Sequence, residues 1–386
     1  RCAPHARSPS SSSSPNGAQW QRRSLTASRA IDYRATTDAI MHARRAIARA
    51  TCAVMTIALA WRATTVDARG FARWSDAGPV VASSVDVGNC DAPAHVVVFW
   101  HGMGDYGADR NSMGVLQSAA LDALGEENAC VKSLTFGSSA SRDRWAGYVG
   151  RVNDQVDAVC ALLAADGAVR HAQGYHGYGF SQGGQFMRAV VERCGSRVRA
   201  KTLVTFGAQH MGVESVPGCG DDGDGDAPTI ACRWLNRAAS SASASAWARW
   251  NVVQAQYFRD TRTHASYQRY LETNIFLPEI NNEGQANENV EYRNALMSLE
   301  KFVCIMFEND DMVFPKESSW FGSHIIGGSV NQTIVPYDQN ESIYASLGLD
   351  ALDADGRLEF ILVPDAHHLE FTLDWFRGIV KKYVSV

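Results

Sequence analysis

The sequence predicts an α/β fold in which helices cover both faces of a mostly parallel central sheet. Short runs of almost continuously apolar residues alternate with stretches of helical character. Strands that are apolar on both faces belong to a parallel sheet buried between helices, and alternating strands and helices are typical of a doubly wound architecture. The predicted strands cover 95–100, 131–136, 178–180, 202–206, 302–307 and 358–363.

Two helices between these strands support the prediction. Valine and leucine residues recur at helical spacing over 151–165, which predicts an amphipathic helix with one buried stripe. A second helix is expected over 182–194, where Gly195 supplies a C-terminal stop.

The interval between the strands that end at 206 and begin at 302 is too long for a simple crossover connection. We therefore expect a helical insertion at about 208–300. Tryptophan, tyrosine and phenylalanine residues stand among helix-forming residues in this interval. They either pack the core of the insertion or present an aromatic surface, and the pattern leaves both alternatives open.

The amino-terminal region indicates a secretory route. Residues 1–40 form a low-complexity sequence without methionine, and we expect them to lie outside the mature protein. Residues 41–68 have the layout of a signal peptide, because basic residues precede the short apolar stretch 50–61. That stretch is short for a membrane span, which favours a cleaved signal over an uncleaved anchor. On this route, the sequons at Asn331 and Asn340 are candidate glycosylation sites.

Charge and hydropathy exclude two classes of function for the mature chain. The 36 Lys and Arg residues and 41 Asp and Glu residues give a formal net charge of −5, without the basic stripe of a nucleic-acid-binding protein. No segment after the signal has an apolar run long enough to span a membrane, so we expect a soluble protein without an integral span.

Cysteine usage agrees with an oxidising compartment. Cys304 lies inside an apolar run and is expected to be a buried free thiol. Six further cysteines after the signal could form three disulfides. None of them forms a Cys-x-x-Cys motif with partners at zinc spacing, so we expect no structural zinc. They are Cys90, Cys130, Cys160, Cys194, Cys219 and Cys232.

An acidic loop contains Asp222, Asp224 and Asp226, which raises the question of calcium. An EF-hand loop needs glycine at its sixth position and glutamate at its twelfth, whereas these positions hold Ala227 and Arg233. We therefore expect a solvated loop and no metal site.

The motif over 179–184, GFSQGG, predicts a catalytic serine. It stands directly after a short apolar strand and directly before a helix, which is the setting of a nucleophile elbow. In such a turn, side chains next to the serine would clash, so Gly179 and Gly183 provide room. The turn presents the Ser181 hydroxyl at the edge of the sheet, above the N-terminus of a helix.

A serine hydroxyl is a weak nucleophile at neutral pH and needs a base that an acid orients. The order expected for this architecture is Ser, then Asp or Glu, then His. Asp310 and Asp311 follow the fifth predicted strand, and His367 and His368 follow the sixth. Both groups lie just past the carboxyl end of a strand, which is where open α/β sheets have their functional sites. The pattern alone does not choose between Asp310 and Asp311 or between His367 and His368.

Acyl transfer also needs an oxyanion hole of two backbone N–H groups. One should come from Gln182, the residue after the serine. The other should come from the glycine-containing loop 101–105, HGMGD, which follows an early strand.

From about residue 80 to the carboxyl end, the sequence resembles the palmitoyl-protein thioesterases, which are lysosomal α/β-hydrolases that remove fatty acyl groups from cysteine. So many separated blocks do not agree by chance. The blocks are 100–105 (WHGMGD), 111–114 (NSMG), 179–186 (GFSQGGQF), 188–190 (RAV), 209–210 (QH) before Gly212, 320–322 (WFG), 368–369 (HL) and 375–376 (WF).

The resemblance implies an α/β-hydrolase domain over 69–386, whose insertion builds the acyl-binding region. It implies Ser181 as the nucleophile, Asp310 as the acid and His368 as the base. It further implies the backbone N–H groups of Met103 and Gln182 as the oxyanion hole. Two disulfides match those of the family, Cys160–Cys194 and Cys219–Cys232. We also expect Cys90 to pair with Cys130.

The function expected from the resemblance is hydrolysis of palmitoyl thioesters in S-acylated proteins or peptides, without a cofactor. The expected location is the lysosome, the vacuole or the extracellular space. Two alternatives remain at the level of sequence. A secreted lipase or carboxylesterase has the same catalytic elements but cleaves oxygen esters, and a hydrolase-fold protein without activity would only bind acyl chains.

Overall fold

A seven-stranded sheet lies at the centre of the protein. A computed structural model describes residues 80–215, 246–284, 288–328, 334–335 and 341–384. The strands are β1 (Ala82–Gly88), β2 (His95–Trp100), β3 (Ala129–Phe136), β4 (Tyr175–Phe180), β5 (Ala200–Phe206), β6 (Lys301–Phe307), β7 (Ser323–His324), β8 (Ile334–Val335) and β9 (Leu358–Val363).

The order of the strands in the main sheet is β1-β3-β2-β4-β5-β6-β9. All neighbouring pairs are parallel except β1 with β3. The six predicted strands are all present: β2 and β9 have the predicted bounds, and the other four begin one to three residues earlier. The predicted α/β-hydrolase fold, with its mostly parallel sheet, is thus confirmed.

The edge strand β1 is absent from the sequence prediction. Its residues alternate between half-buried and exposed positions, and only Val85 and Val87 are large apolar residues within it. It pairs with β3 on one side only, so it carries no continuous apolar run of the kind that marks the central strands.

Helices cover both faces of the sheet. On one face, the helices Met113–Leu124 and Leu373–Val384 pack on apolar side chains of β2, β4, β5 and β6. On the other face, the helices Val152–Ala165 and Gln182–Cys194 pack on the alternate residues of the same sheet. The helices are α1 (Met113–Leu124), α2 (Ala140–Ala146), α3 (Val152–Ala165), α4 (Gly167–His171), α5 (Gln182–Cys194), α6 (Ala246–Asn251), α7 (Val253–Gln256), α8 (His264–Thr273), α9 (Leu277–Ile280), α10 (Val290–Met297), α11 (Glu341–Ser346), α12 (Leu349–Ala354) and α13 (Leu373–Val384).

The helix α5 has the predicted bounds, but the reason given for its end is wrong. Gly195 has a φ of −50°, which is ordinary right-handed helical backbone and not a left-handed cap. A Cβ atom at Gly195 would lie 2.5 Å from Cβ of Ala295. The glycine therefore allows close packing of the end of α5 against α10.

Helices α6 to α10 form the expected insertion between β5 and β6. Among the aromatic side chains of the insertion that the structure describes, Tyr257, Phe258, Tyr270 and Phe276 are buried. Trp250 is 46% exposed, and the guanidinium of Arg151 lies 4.4 Å from the centroid of its ring. The first alternative, in which the aromatic rings pack in a core, therefore holds for these four side chains. Trp250 faces solvent instead.

Two disulfides lie within the part of the chain that the structure describes. Cys90 pairs with Cys130 and Cys160 pairs with Cys194, both as expected, whereas Cys304 is a buried free thiol. None of the described helices is both long and apolar enough to cross a bilayer. Several predicted features lie outside the described residues, namely 1–40, the signal at 41–68, the acidic loop, the Cys219–Cys232 pair and the sequons at Asn331 and Asn340.

A buried histidine on β4 predicts that the folding stability of the protein depends on pH. His176 on β4 is 1% exposed, and its Nδ1 lies 2.9 Å from Oγ1 of Thr202. Burial and the positive charge of Lys201 lower the pKa of His176 to about 3. The side chain is therefore neutral in the folded protein, whereas in the unfolded chain a histidine has a pKa of about 6.5.

We expect folding stability to fall as the pH drops from 6.5 towards 3, because the unfolded chain binds a proton that folded His176 does not. At pH 5 this difference costs about 2 kcal/mol relative to pH 7.5. The variant His176→Asn retains a hydrogen-bonding group for Thr202 and does not titrate. In urea unfolding at the two pH values, it should lose about 2 kcal/mol less than the natural protein. The exposed His171→Asn is the control, and an equal pH dependence in both variants would contradict the assignment.

Candidate active site

The turn from β4 into α5 holds Ser181 in a strained conformation. Its φ is +55° and its ψ is −126°, a region that side chains rarely adopt. The N–H of Ser181 donates to the carbonyl of Phe206, at 2.8 Å, at the end of the neighbouring strand β5. The serine is therefore fixed to the C-terminal edge of the sheet, where it was predicted.

Three glycines make this turn possible. A Cβ at Gly179 would lie 2.3 Å from the carbonyl oxygen of Gly183, and a Cβ at Gly183 would lie 2.4 Å from the carbonyl oxygen of Trp100. At Gly184, a Cβ would lie 2.4 Å from Cβ of Ala208. A larger residue at any of the three would have to displace backbone or a neighbouring element, so the elbow requires glycine at each position.

The histidine and the acid of the predicted site meet at the ends of β6 and β9. Nδ1 of His368 lies 2.7 Å from Oδ2 of Asp310. The other oxygen of Asp310 accepts hydrogen bonds from the N–H groups of Met312, at 2.9 Å, and Val313, at 3.0 Å. The Asp310 side chain is fully buried and that of His368 is nearly so. The carboxylate is thus held by backbone donors and faces the imidazole.

Asp311 and His367, the alternatives to Asp310 and His368, lie in different surroundings. Asp311 is exposed. His367 is also exposed, and its Nδ1 lies 3.1 Å from the carbonyl oxygen of Asn309. The His368–Asp310 pair therefore has the contact that a base and its orienting acid need, and within the described residues neither Asp311 nor His367 takes part in such a pair.

The end of β5 lies between the serine and the histidine. Phe206 accepts the hydrogen bond of Ser181, and the next residue, Gly207, has a φ of +56°. A Cβ at Gly207 would lie 2.9 Å from Cε1 and 3.1 Å from Nδ1 of His368. The imidazole therefore packs directly on the backbone at this position, next to the residue that anchors the serine.

The loop after β2 approaches the same serine. A Cβ at Gly102 would lie 3.2 Å from Cβ of Ser181, so the glycine lets the backbone come close. Among the described residues, the N–H of Met103 has no hydrogen-bond acceptor. The N–H of Gln182 is the first of α5 and has no intrahelical acceptor. Among the described residues, the N–H groups of both predicted oxyanion donors are thus uncommitted, and Gly102, the residue before Met103, lies beside the serine.

The side chain of Gln182 connects the site to the insertion. Its Nε2 donates to the carbonyl of Gly147 at 3.2 Å, and its Oε1 accepts from the hydroxyl of Tyr257 at 3.1 Å. A small pocket opens beside it. The pocket is lined by Trp100, Gly147, Val152, Gln155, Gln182, Gln185, Phe186, Val253 and Tyr257.

A second histidine, His101, lies buried at the start of the loop 101–105. Nε2 of His101 lies 3.6 Å from Oδ1 of Asp143, and its ring stacks on Trp100 with centroids 4.5 Å apart. Burial lowers the pKa of His101, but the carboxylates of Asp143 and Asp105 raise it more, so the pKa lies above the usual value. These charges stabilise the protonated ring.

With this geometry in hand, the relatives can be compared. A family model described as palmitoyl protein thioesterase matches residues 96–368. A palmitoyl-protein thioesterase 1 from Caenorhabditis elegans is 36% identical over 290 residues, which cover 74% of this chain and 91% of the relative. The chain belongs to the palmitoyl-protein thioesterase family.

Two further relatives of this thioesterase are informative. A palmitoyl-protein thioesterase-dolichyl pyrophosphate phosphatase fusion from Schizosaccharomyces pombe is 33% identical over 293 residues, which cover 74% of this chain and 43% of the fusion. A lysosomal thioesterase PPT2 homolog from Drosophila melanogaster is 28% identical over 232 residues, which cover 59% of this chain and 74% of the relative. The family predicted from the sequence motifs is thus confirmed.

Three contacts at this site of the thioesterase were not predicted from the sequence. Gly207 packs on the imidazole, Tyr257 binds the side chain of Gln182, and Asp143 faces His101. Only Gly207 could have been found from the local sequence, because it directly follows an apolar strand, as the residues of the elbow do. The other two depend on contacts over long stretches of sequence.

One group of three possible metal ligands lies close together among the described residues, namely Asp86, Cys90 and Cys130. The two sulfur atoms are joined in a disulfide and offer no thiolate to an ion. This cluster therefore does not fit a metal centre.

We expect Gly207→Ala to lower kcat/KM of the thioesterase by about tenfold or more, because a displacement of the base by even 1 Å slows the reaction strongly. The added methyl group would collide with the His368 ring. The matched control is Gly356→Ala, which has a similar φ of +66° and no neighbour within 4 Å. Both variants should lose stability from the left-handed backbone. Equal activity of the two variants in a thioester hydrolysis assay would contradict the proposed contact.

Proposed function

We propose that this thioesterase hydrolyses long-chain fatty acyl thioesters, palmitoyl thioesters among them, on cysteine residues of S-acylated proteins or peptides. Ser181 is the nucleophile, His368 the general base and Asp310 the orienting acid. The 2.7 Å contact between His368 and Asp310, next to the backbone that anchors Ser181, is the observation that carries the proposal.

The reaction begins when His368 takes the proton of Ser181. With Nδ1 engaged by Asp310, Nε2 of the ring is the nitrogen left to accept it. The serine oxygen attacks the thioester carbonyl, and the N–H groups of Met103 and Gln182 stabilise the negative charge that develops on the carbonyl oxygen. The proton then passes from His368 to the leaving cysteine sulfur, and an acyl-serine remains.

Water completes the cycle by the same route. His368 removes a proton from the water, which attacks the acyl-serine, and the proton returns to the Ser181 oxygen as the fatty acid leaves. Asp310 orients the ring and stabilises the imidazolium in both half-reactions. Its second oxygen is saturated by two backbone N–H groups, so the carboxylate keeps one orientation throughout.

The leaving group favours a thioester over an amide as substrate. A thiol has a pKa of about 8.5 and departs as a thiolate far more readily than an amine departs unprotonated. The triad itself serves oxygen esters equally well. Membership of the family is what supports the thioester here.

For location, we propose the lysosome, the vacuole or the extracellular space. Relatives include a protein named lysosomal thioesterase. The disulfides Cys90–Cys130 and Cys160–Cys194 belong to an oxidising compartment, which the secretory route provides.

We expect Ser181→Ala to lower kcat by about 10⁴-fold or more, because the acyl-serine can no longer form. The measurement is release of free thiol from a palmitoylated cysteine peptide. Intact folding, checked by thermal unfolding, shows that the loss is chemical. Undiminished turnover would remove the mechanism. Faster cleavage of a matched serine oxygen ester by the natural protein would instead indicate an esterase.

Replacing each histidine in turn tests the base. We expect His368→Ala to lose activity by a similar factor, since no other ring faces Asp310 among the described residues. His367→Ala is the matched control, because His367 is its neighbour in sequence and is exposed. It should retain at least half of the activity. The reverse result would move the base by one position.

A further inference from the structure

We infer that Arg144 is a positioning residue of the oxyanion hole. Arg144 lies on the short helix α2, which follows β3, and does not belong to the triad. Its Nε donates to the carbonyl of Gly104 at 2.8 Å. Gly104 directly follows Met103, whose N–H is the oxyanion donor in the proposed function on which this inference rests.

A second contact holds the same side chain in place. The guanidinium carbon of Arg144 lies 4.7 Å from the centroid of the Tyr106 ring. Such a cation–π contact restricts the rotation of a long side chain that would otherwise be mobile. Arg144 thus binds the loop at two points, one on its backbone and one on a side chain, and these points lie on either side of Asp105.

The residue before Arg144 holds the far end of the same loop. Oδ2 of Asp143 accepts the N–H of Gly107 at 2.7 Å, and Oδ1 accepts the N–H of Phe136, at the end of β3, at 2.6 Å. Asp143 is 2% exposed, so these bonds are shielded from water. Helix α2 therefore fixes the loop to β3 through Asp143 and fixes the segment next to the oxyanion donor through Arg144.

The loop needs this fixation because of its conformation. Gly104 has a φ of +84°, and the turn that contains Met103 is closed by a long bond of 3.3 Å from the N–H of Asp105 to the carbonyl of Gly102. The donor N–H of Met103 belongs to the peptide that joins Gly102 to Met103, and the carbonyl of that peptide accepts this long bond and lies 2.9 Å from Nδ1 of His101. On the other side of Met103, the carbonyl of Gly104 is held by Arg144. An oxyanion donor is effective only when its N–H points to where the charge develops, which requires a preorganised peptide. Arg144 restrains the chain on the C-terminal side of Met103, from outside the loop.

The test compares Arg144→Met with Arg170→Met. Met keeps much of the apolar length of the arginine but donates no hydrogen bond. Arg170 also donates to backbone carbonyls, at 2.7 Å for Ala165, but lies on α4, before β4 begins. On a soluble palmitoyl-cysteine peptide, Arg144→Met should lower kcat about tenfold, a fraction of the loss from removing an oxyanion donor, with KM changed less than twofold. Arg170→Met should keep the natural kcat.

Chemical rescue provides the second readout. In Arg144→Ala, added ethylguanidinium should restore part of the lost kcat, because it can donate to the Gly104 carbonyl and stack on Tyr106. The same additive should leave the natural protein and Arg170→Met unchanged. A merely structural loss of stability would not respond in this selective way.

Several outcomes would overturn the inference. They are a natural kcat in Arg144→Met, an equal loss in Arg170→Met, a raised KM with unchanged kcat, and an absence of rescue. Ser181→Ala, measured in parallel, separates this inference from the proposed function. If Ser181→Ala is inactive while Arg144→Met has the natural kcat, only the role of Arg144 fails; if Ser181→Ala keeps its turnover, the proposed mechanism fails.

Discussion

The strained turn at Ser181 is the constraint on which the site depends. A non-glycine residue in such backbone costs of the order of 1–3 kcal/mol, and it persists only when its surroundings fix it. Here the surroundings are a hydrogen bond to Phe206 and the contact of Gly183 with the end of β2. Both come from strands that neighbour β4 in the sheet. The parallel sheet therefore supplies the free energy that holds the nucleophile in an unfavourable conformation.

The same strand ends organise the rest of the site. β5 anchors Ser181 through Phe206 and receives the imidazole of His368 at Gly207. β6 leads into Asp310, and β9 leads into His368. Since β5, β6 and β9 are consecutive in the sheet, Asp310 and His368, which are 58 positions apart in the sequence, meet at its edge. Strand order, not sequence proximity, makes the pair.

Much of this arrangement could be predicted, and the failures have physical reasons. Apolar runs marked the central strands because both of their faces are buried, whereas β1 has an exposed face and left no such run. The elbow was visible because its glycines and Ser181 are contiguous. Asp310 and Asp311 are equivalent in sequence, and only the fold buries one of them. Arg144 left no signal, since its partner Gly104 is 40 residues away.

The insertion is tied to the nucleophile by buried polar contacts along α5. Near the start of the helix, Gln182 binds Tyr257; one turn and a half later, Arg188 binds the carbonyl of Ile280 at 2.9 Å and the side chain of Asn281 at 2.6 Å. Arg188 is fully buried and also pairs with Glu192 on the same helix at 3.1 Å, so breaking the contacts to Ile280 and Asn281 would leave buried guanidinium N–H groups unsatisfied, at a cost of about 1–3 kcal/mol or more. Movement of the insertion against α5 would break them. The part of the insertion that contacts α5 is therefore held at a set orientation to the serine.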